Sequence, residues 1–457
     1  MKATKILAAT ALISLATAGS ALAFHDGGVA YCDGCHTMHN SSGNKAMAKK
    51  GNSTQFQGLN YLLQGSDDSS TCLNCHASAD AVGKPSGYHV MTYPAPALGT
   101  PPTERTPGGD FAWLTQSYPV PAGSHGAASP GERHGHNVIA ADYGLIADTT
   151  LTTAPGGAYA NTALSCASCH DPHSRARIVD TNGTIAYTKI GTATLPIVGS
   201  GSYGATAVAG QQAVGVYRLL GGANYSQMSY TNPTPFTSDP PVAVAPSTYN
   251  RSEGLSDTRV AYGKGMSEWC SNCHVSIHNN NVNAANTKLI HPAGNTALLT
   301  ATANDLQGNA AGTTIAALYN AYVNSGNLTG VVGTSYTSLV PFEEGTGVVA
   351  TLAGHAGAGT GSTAGPSTGT ENVMCLSCHR AHAGGFNSMT RWNNNSEFIT
   401  VGGAWPGTDV TGANSASAVS YSNGMNQATY QAAMYDRPAT QYAYAQRSLC
   451  NKCHAKD

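Results

Sequence analysis

Charge is scarce in this chain: 22 basic and 24 acidic side chains among 457 residues, for a formal net charge of −2. Without a surplus of Lys and Arg it lacks the electrostatic footprint of a nucleic-acid binder. With only 10% charged residues it also lacks the composition that keeps a chain disordered. Long apolar runs are missing. No window reaches the ~18 continuous apolar residues of a membrane span, so no transmembrane segment is expected. Phe and Trp are few, 7 and 4, against 22 Tyr. Hydrophobic residues make up 41%, and 53 Gly with 22 Pro interrupt regular structure. A conventional core is thin for this length, and something other than side chains is expected to fill part of the interior.

Residues 1–23 read as a secretory signal. Lys2 and Lys5 form a basic start, Ile6 to Ala18 a short apolar stretch, and Ala21-Leu22-Ala23 a small-x-small cleavage site before Phe24. The expectation is an exported, soluble chain over 24–457, folded as a single elongated domain. Export points to an oxidising compartment, where cysteines ordinarily pair as disulfides.

The cysteines follow another rule. All twelve belong to Cys-x-x-Cys-His motifs: Cys32/Cys35/His36, Cys72/Cys75/His76, Cys166/Cys169/His170, Cys270/Cys273/His274, Cys375/Cys378/His379 and Cys450/Cys453/His454. This is the attachment signature of c-type haem. Two thiols one helical turn apart add to the two vinyl groups of one haem, and the adjacent His lies under the ring and ligates iron. A zinc site needs four converging ligands, and neither zinc nor disulfides explains a His after every pair. Six covalently bound haem c groups are expected, on six motifs that the sequence makes alike.

Each iron has a sixth position, whose occupant separates an electron carrier from a catalyst or gas binder. Beyond the six motif histidines there are eleven more. Bis-His ligation of every iron accounts for such a surplus. Three motifs continue to Cys-x-x-Cys-His-x-x-His, at His39, His173 and His382. A His placed there points away from its own haem and can ligate a neighbouring one, which forces haems close together. His278 follows His274 by four residues and could act likewise. His136 and His355 each follow Gly and precede a motif, a weak internal repeat. His89 and His291 complete the distal candidates, with His25 less well placed. His125 and His134, in a Gly/Ser/Pro-rich loop, read as non-ligands. No Met recurs at a fixed offset from the motifs.

Regular structure looks sparse. Helices are expected over 309–323, 426–435 and 442–456, with short helical turns at the other motifs. Segments 94–107 and 233–246 are Pro-rich loops, and 342–372 shows almost no periodicity. The expected fold is mostly irregular coil with a few short helices and little sheet, wrapped around a stacked haem array. The haem cross-links offset the entropy of long loops much as disulfides would.

Longer strings carry a resemblance. They include His25-Asp-Gly-Gly-Val-Ala, Gly135-His136-Asn137, Val244-Ala-Pro-Ser-Thr-Tyr-Asn250, Gly265-Met-Ser-Glu-Trp-Cys270, Pro341-Phe-Glu-Glu-Gly345 and the terminal Leu449-Cys-Asn-Lys-Cys-His-Ala-Lys-Asp457. The chain resembles the outer-surface hexahaem c-type cytochromes of the OmcS type from metal-reducing bacteria. The match is poorer over parts of 181–215 and 400–425. The resemblance implies bis-His ligation throughout and haems alternating between parallel and T-shaped contacts. It implies head-to-tail self-association into a conducting filament on the outer cell surface. It further implies that His39 ligates the fifth haem, on Cys375, Cys378 and His379, of the next protomer. Electrons would pass from redox-partner cytochromes to extracellular acceptors such as metal oxides. The residue patterns leave two alternatives. One is a monomeric periplasmic carrier, which shares all the haem chemistry. The other is a multihaem reductase, which needs an iron with an open position.

Overall fold

The computed structural model describes residues 32–36, 41–42, 45–46, 62–78, 89–120, 128–187, 195, 197–199, 201–227, 234–245, 260–277, 291–302, 312–324, 340–357, 366 and 369–453. The signal segment 1–23 and His25, His39, His125, His278 and His454 lie outside them. Coil, turns and 3-10 turns dominate the described residues. The helices are short: α1 (Cys32–Cys35), α2 (Asp68–His76), α3 (Met266–Cys270), α4 (Ile315–Asn324), α5 (Val349–His355), α6 (Cys375–Cys378), α7 (Ser415–Ser420) and α8 (Gln427–Ala433).

The expected helix at 309–323 is α4. Gly312, at φ 88°, precedes it, and the Thr314 hydroxyl accepts from Ala317 N–H at 3.1 Å. The helix over 426–435 is α8, capped by Asn426, whose side chain accepts from Thr429 N–H at 2.8 Å. The expectation over 442–456 is corrected. Only Leu449–Lys452 forms a 3-10 turn. Residues 443–447 instead pair with 398–400: Ile399 N–H donates to Gln446 O at 2.8 Å, and Gln446 N–H to the Thr400 hydroxyl at 2.8 Å. Tertiary pairing overrides a weak helical preference there. The stretch 342–372, read as unpatterned, holds a two-residue strand and α5.

Strands β1 (Ser41–Ser42) and β2 (Lys45–Ala46) pair antiparallel, and two three-stranded sheets are built from similar fragments. β3 (Ala176–Ile178) lies antiparallel between β4 (Ile185–Tyr187) and β5 (Val214–Gly215), with Arg177 opposite Ala186 and Gly215. β7 (Ala261–Gly263) pairs antiparallel with β6 (Ala243–Val244) and parallel with β8 (Glu343–Glu344). Ile178, Val214, Val244 and Leu352 join the sheets and α5 in one apolar cluster. A larger cluster runs through Trp113, Phe386, Trp392, Trp405 and Tyr430. The larger cluster lies beside motif turns, with Leu73 in it and Cys378 and Cys453 packed against it.

Gly109 shows how tightly the coil is wound. Its φ is 104°, and a Cβ there would stand 1.7 Å from the carbonyl oxygen of Ala383, next to His382. Gly109→Ala should therefore lower unfolding free energy by about 2 kcal/mol or more, from the disfavoured φ and the clash. Chemical denaturation followed by haem absorbance measures this. An unchanged midpoint would contradict the close approach.

Candidate haem-binding site

The first five motifs fall into two structural kinds that alternate along the chain. The first, third and fifth share a return cradle. Gln64, Gly221 and Arg391 donate their N–H groups to the carbonyls of Cys35, Cys169 and Cys378 at 2.9, 2.8 and 2.8 Å. Leu63, Leu220 and Thr390 bridge to His36, His170 and His379. Each return passes through a left-handed non-glycine residue just before the bridge: Leu62 at φ 55°, Leu219 at 56° and Met389 at 49°. That conformation is disfavoured, so the surroundings must hold it. It aims a carbonyl at the motif imidazole. Arg218 O lies 2.7 Å from His170 Nδ1, and Ser388 O lies 2.8 Å from His379 Nδ1.

The second and fourth motifs instead carry a Ser three residues before their first Cys. The Ser69 hydroxyl accepts from Cys166 N–H at 3.0 Å, and that of Ser267 from Cys375 N–H at 3.0 Å. Helix α2 thus packs on the third motif and α3 on the fifth. The Cys72 side chain lies beside that of Cys166, and Cys270 beside Cys375. Cys35 likewise lies near Cys72, Cys169 near Cys273, and Cys378 near Cys450. The motifs are therefore strung in space in their sequence order.

The described thiols differ in exposure. Cys75 and Cys450 are exposed, whereas Cys35, Cys72, Cys166, Cys169, Cys270, Cys273, Cys375, Cys378 and Cys453 are half-buried. The position of Cys75 on its helix explains the difference. It falls in the last turn of α2, whose buried residues are Ser69, Ser70, Thr71 and Leu73. Cys72 lies on the side that meets Cys166, and Cys75 on the side that faces solvent.

Histidine rings meet in facing pairs. The ring centroids of His36 and His173 are 6.2 Å apart, those of His136 and His274 6.1 Å, and those of His170 and His382 6.3 Å. An iron bound by two imidazoles at about 2 Å each, with each nitrogen about 1.1 Å from its ring centre, separates the centroids by about 6.2 Å. The residues fit a haem iron between each pair. Backbone carbonyls take up Nδ1 at His136 (Ala381 O, 2.8 Å), His170 and His274 (Pro155 O, 2.9 Å). That contact fixes the tautomer and leaves Nε2 for the metal. Burial pushes the imidazoles of His136 and His382 down, to about 4 and about 3. Both are neutral at physiological pH, as a metal ligand must be. Among the described residues no three His, Cys, Asp or Glu side chains converge as a zinc site would require.

The other candidates differ in setting. His355, at the end of α5, hydrogen-bonds the Glu344 carboxylate through Nδ1. His291 Nδ1 lies 2.8 Å from Pro292 O. His89 is buried, with Nδ1 3.7 Å from Glu104 Oε1. His134 has both nitrogens engaged: Nε2 is 2.8 Å from the Ser129 hydroxyl and Nδ1 3.0 Å from Trp113 O. It is a buried core histidine. The sequence reading missed Arg218 and Ser388, whose roles rest on backbone conformation, and Glu344. It also missed Ser69 and Ser267, whose fixed offset from Cys72 and Cys270 was visible.

No protein-family model matches the chain. The C-type cytochrome OmcS of Geobacter sulfurreducens is 49% identical over 461 residues, covering 100% of this chain and 99% of the relative. The chain belongs to the OmcS family of c-type cytochromes. Two solved structures from the same organism agree with this. An outer membrane cytochrome S filament matches with a TM-score of 0.77 and 48% identity, over 95% of this chain and 100% of that one. A cryo-EM structure of the OmcS nanowires matches with a TM-score of 0.76 and 46% identity over the same shares. The cofactor is haem c, and the coil-dominated multihaem fold read from the sequence is the family's.

His134 and His136 give a paired test. His136→Ala should turn one low-spin iron high-spin and open it to CO in the reduced protein. His134→Ala should leave every haem low-spin while costing about 1–3 kcal/mol of stability, from buried partners left unbonded. Electron paramagnetic resonance with CO difference spectra reads both. A high-spin signal from the His134 variant would reverse the assignment.

Proposed function

We propose that this protein is a hexahaem electron conduit that polymerises head to tail into an extracellular filament. The observation carrying the reading is the set of facing imidazole pairs, which suits irons closed on both sides. The twelve motif cysteines, the exposed Cys75 and Cys450 included, would hold six haems, with His36, His76, His170, His274, His379 and His454 as proximal ligands. His173, His136 and His382 would be distal ligands to the first, fourth and third irons. The remaining positions draw on His39, His89, His278, His291 and His355. Bound haem supplies a one-electron iron couple that requires no change of ligand. The chain's own residues keep the sites close, hold Nδ1 through carbonyls and exclude water. Such a protein transfers electrons and is not an enzyme.

The pairing pattern supports assembly. His173 follows the third motif and faces the first motif's His36, and His382 follows the fifth and faces the third motif's His170. Each reaches two motifs back. His39, which follows the first motif, has none to reach in its own chain. The same step taken into another copy ends on that copy's fifth motif, at His379. A contact of this kind is heterologous and does not close, which generates a filament. The relatives solved as filament and nanowire structures support the same reading. Export through 1–23, partner cytochromes as donors and metal oxides as acceptors complete the proposal.

His39→Ala should retain six covalent haems by intact mass while losing filaments in electron micrographs. Normal filaments from this variant would refute the bridge. Discrete particles from the unsubstituted protein would favour a monomeric carrier.

A further inference from the structure

The interior of the protein is electrically lopsided. Among the described residues from 373 to 453, four basic side chains are buried, Arg380, Arg391, Arg437 and Lys452, and no acidic one. From 62 to 372 the balance reverses: seven acids are buried, Asp110 and Asp142 among them, against Arg105 and Arg177. The net charge of −2 hides this division.

Several of these charges sit at motifs. Arg391 Nε donates to Leu376 O at 2.7 Å and His379 O at 3.2 Å, inside the fifth motif. Arg380 follows His379 directly, with its guanidinium 3.4 Å from the centroid of the Tyr435 ring. Lys452 lies between Cys450 and Cys453, with its ammonium 3.8 Å from the centroid of the Tyr319 ring. At the second motif the charge is negative. Asp142 accepts from Ser66 N–H at 2.9 Å and from its hydroxyl, while its own N–H donates to the Ser70 hydroxyl on α2 at 3.2 Å. A buried cation stabilises the reduced form of a nearby iron and a buried carboxylate the oxidised form. Low local dielectric enlarges both effects.

We propose that these buried charges grade the array, with Arg391 and Lys452 holding the fifth and sixth sites at higher potential than the second, where Asp142 lies. Electrons then pool at the C-terminal end of each subunit, and the pattern repeats along a filament. The proposal rests on the bis-His reading and adds to it an order among chemically identical sites.

Potentiometric titration of the purified holoprotein, followed optically, tests this, with one electron from the electrode reducing one ferric iron. Arg391→Gln and Lys452→Gln should each move about one sixth of the absorbance change from the high-potential part of the curve to lower potential. Asp142→Asn should move a similar fraction from the low-potential part upward. Arg391→Lys should restore the unsubstituted curve. Loosened packing would not produce shifts of opposite sign, so the pair separates charge from structural damage. Superimposable curves, or shifts of one sign in all three variants, would overturn the grading. A high-spin signal in the unsubstituted protein would remove the ligation reading, and the grading with it.

Discussion

Imidazole rings from motifs far apart in sequence, brought to face one another in pairs, constrain everything else in this chain. His36 and His173 are separated by well over a hundred residues, and His170 and His382 by more than two hundred, yet each pair of rings stands about 6 Å apart. A chain that must deliver rings over such spans has little room for long helices or wide sheets. It uses short capped turns at the motifs, and between them coil that packs wherever the next ring has to be placed. The scarcity of apolar residues follows from the same constraint, because haem faces supply surface that side chains would otherwise provide.

The alternation of motif types makes that delivery repeatable. Odd motifs lie in a return cradle whose left-handed Leu62, Leu219 and Met389 turn the backbone toward the imidazole. The second and fourth instead present Ser69 and Ser267 to the start of the motif that follows. The two kinds alternate over the first five motifs, and the His that follows the third and the fifth faces the imidazole two motifs back. That contact is made twice within the chain.

Much of the cofactor chemistry was legible in the sequence because it depends on local spacing. Cys-x-x-Cys-His needs only one turn of chain, and the offset of His173 and His382 marked them as residues that could reach a neighbouring motif, which their rings do. Which motif each would face was not legible, since that depends on where intervening loops carry the chain. The same limit hid the difference between Cys72 and Cys75: one spacing served both, and only the packing of α2 on the third motif turned one inward and left the other exposed. Nor were Arg218 and Ser388 legible, whose contribution is a carbonyl oriented by backbone angles that their side chains do not prefer. The helix expected at 442–456 failed for a related reason: Gln446 gains more from Thr400 and Ile399 than from a helical neighbour. Local chemistry survives translation from sequence to structure here, and long-range register does not.

The same division explains how a nearly neutral protein can still bias its sites. Surface charges are screened by water and salt within about 10 Å, so overall net charge says little about an interior iron. Buried charges escape that screening, and each needs its own local compensation: stacking on Tyr435 for Arg380, carbonyls of the fifth motif for Arg391, the Tyr319 face for Lys452. Such arrangements are costly to build. A chain seeking only solubility would leave these side chains outside. Their retention beside motif residues is the physical reason to read them as part of the electron path.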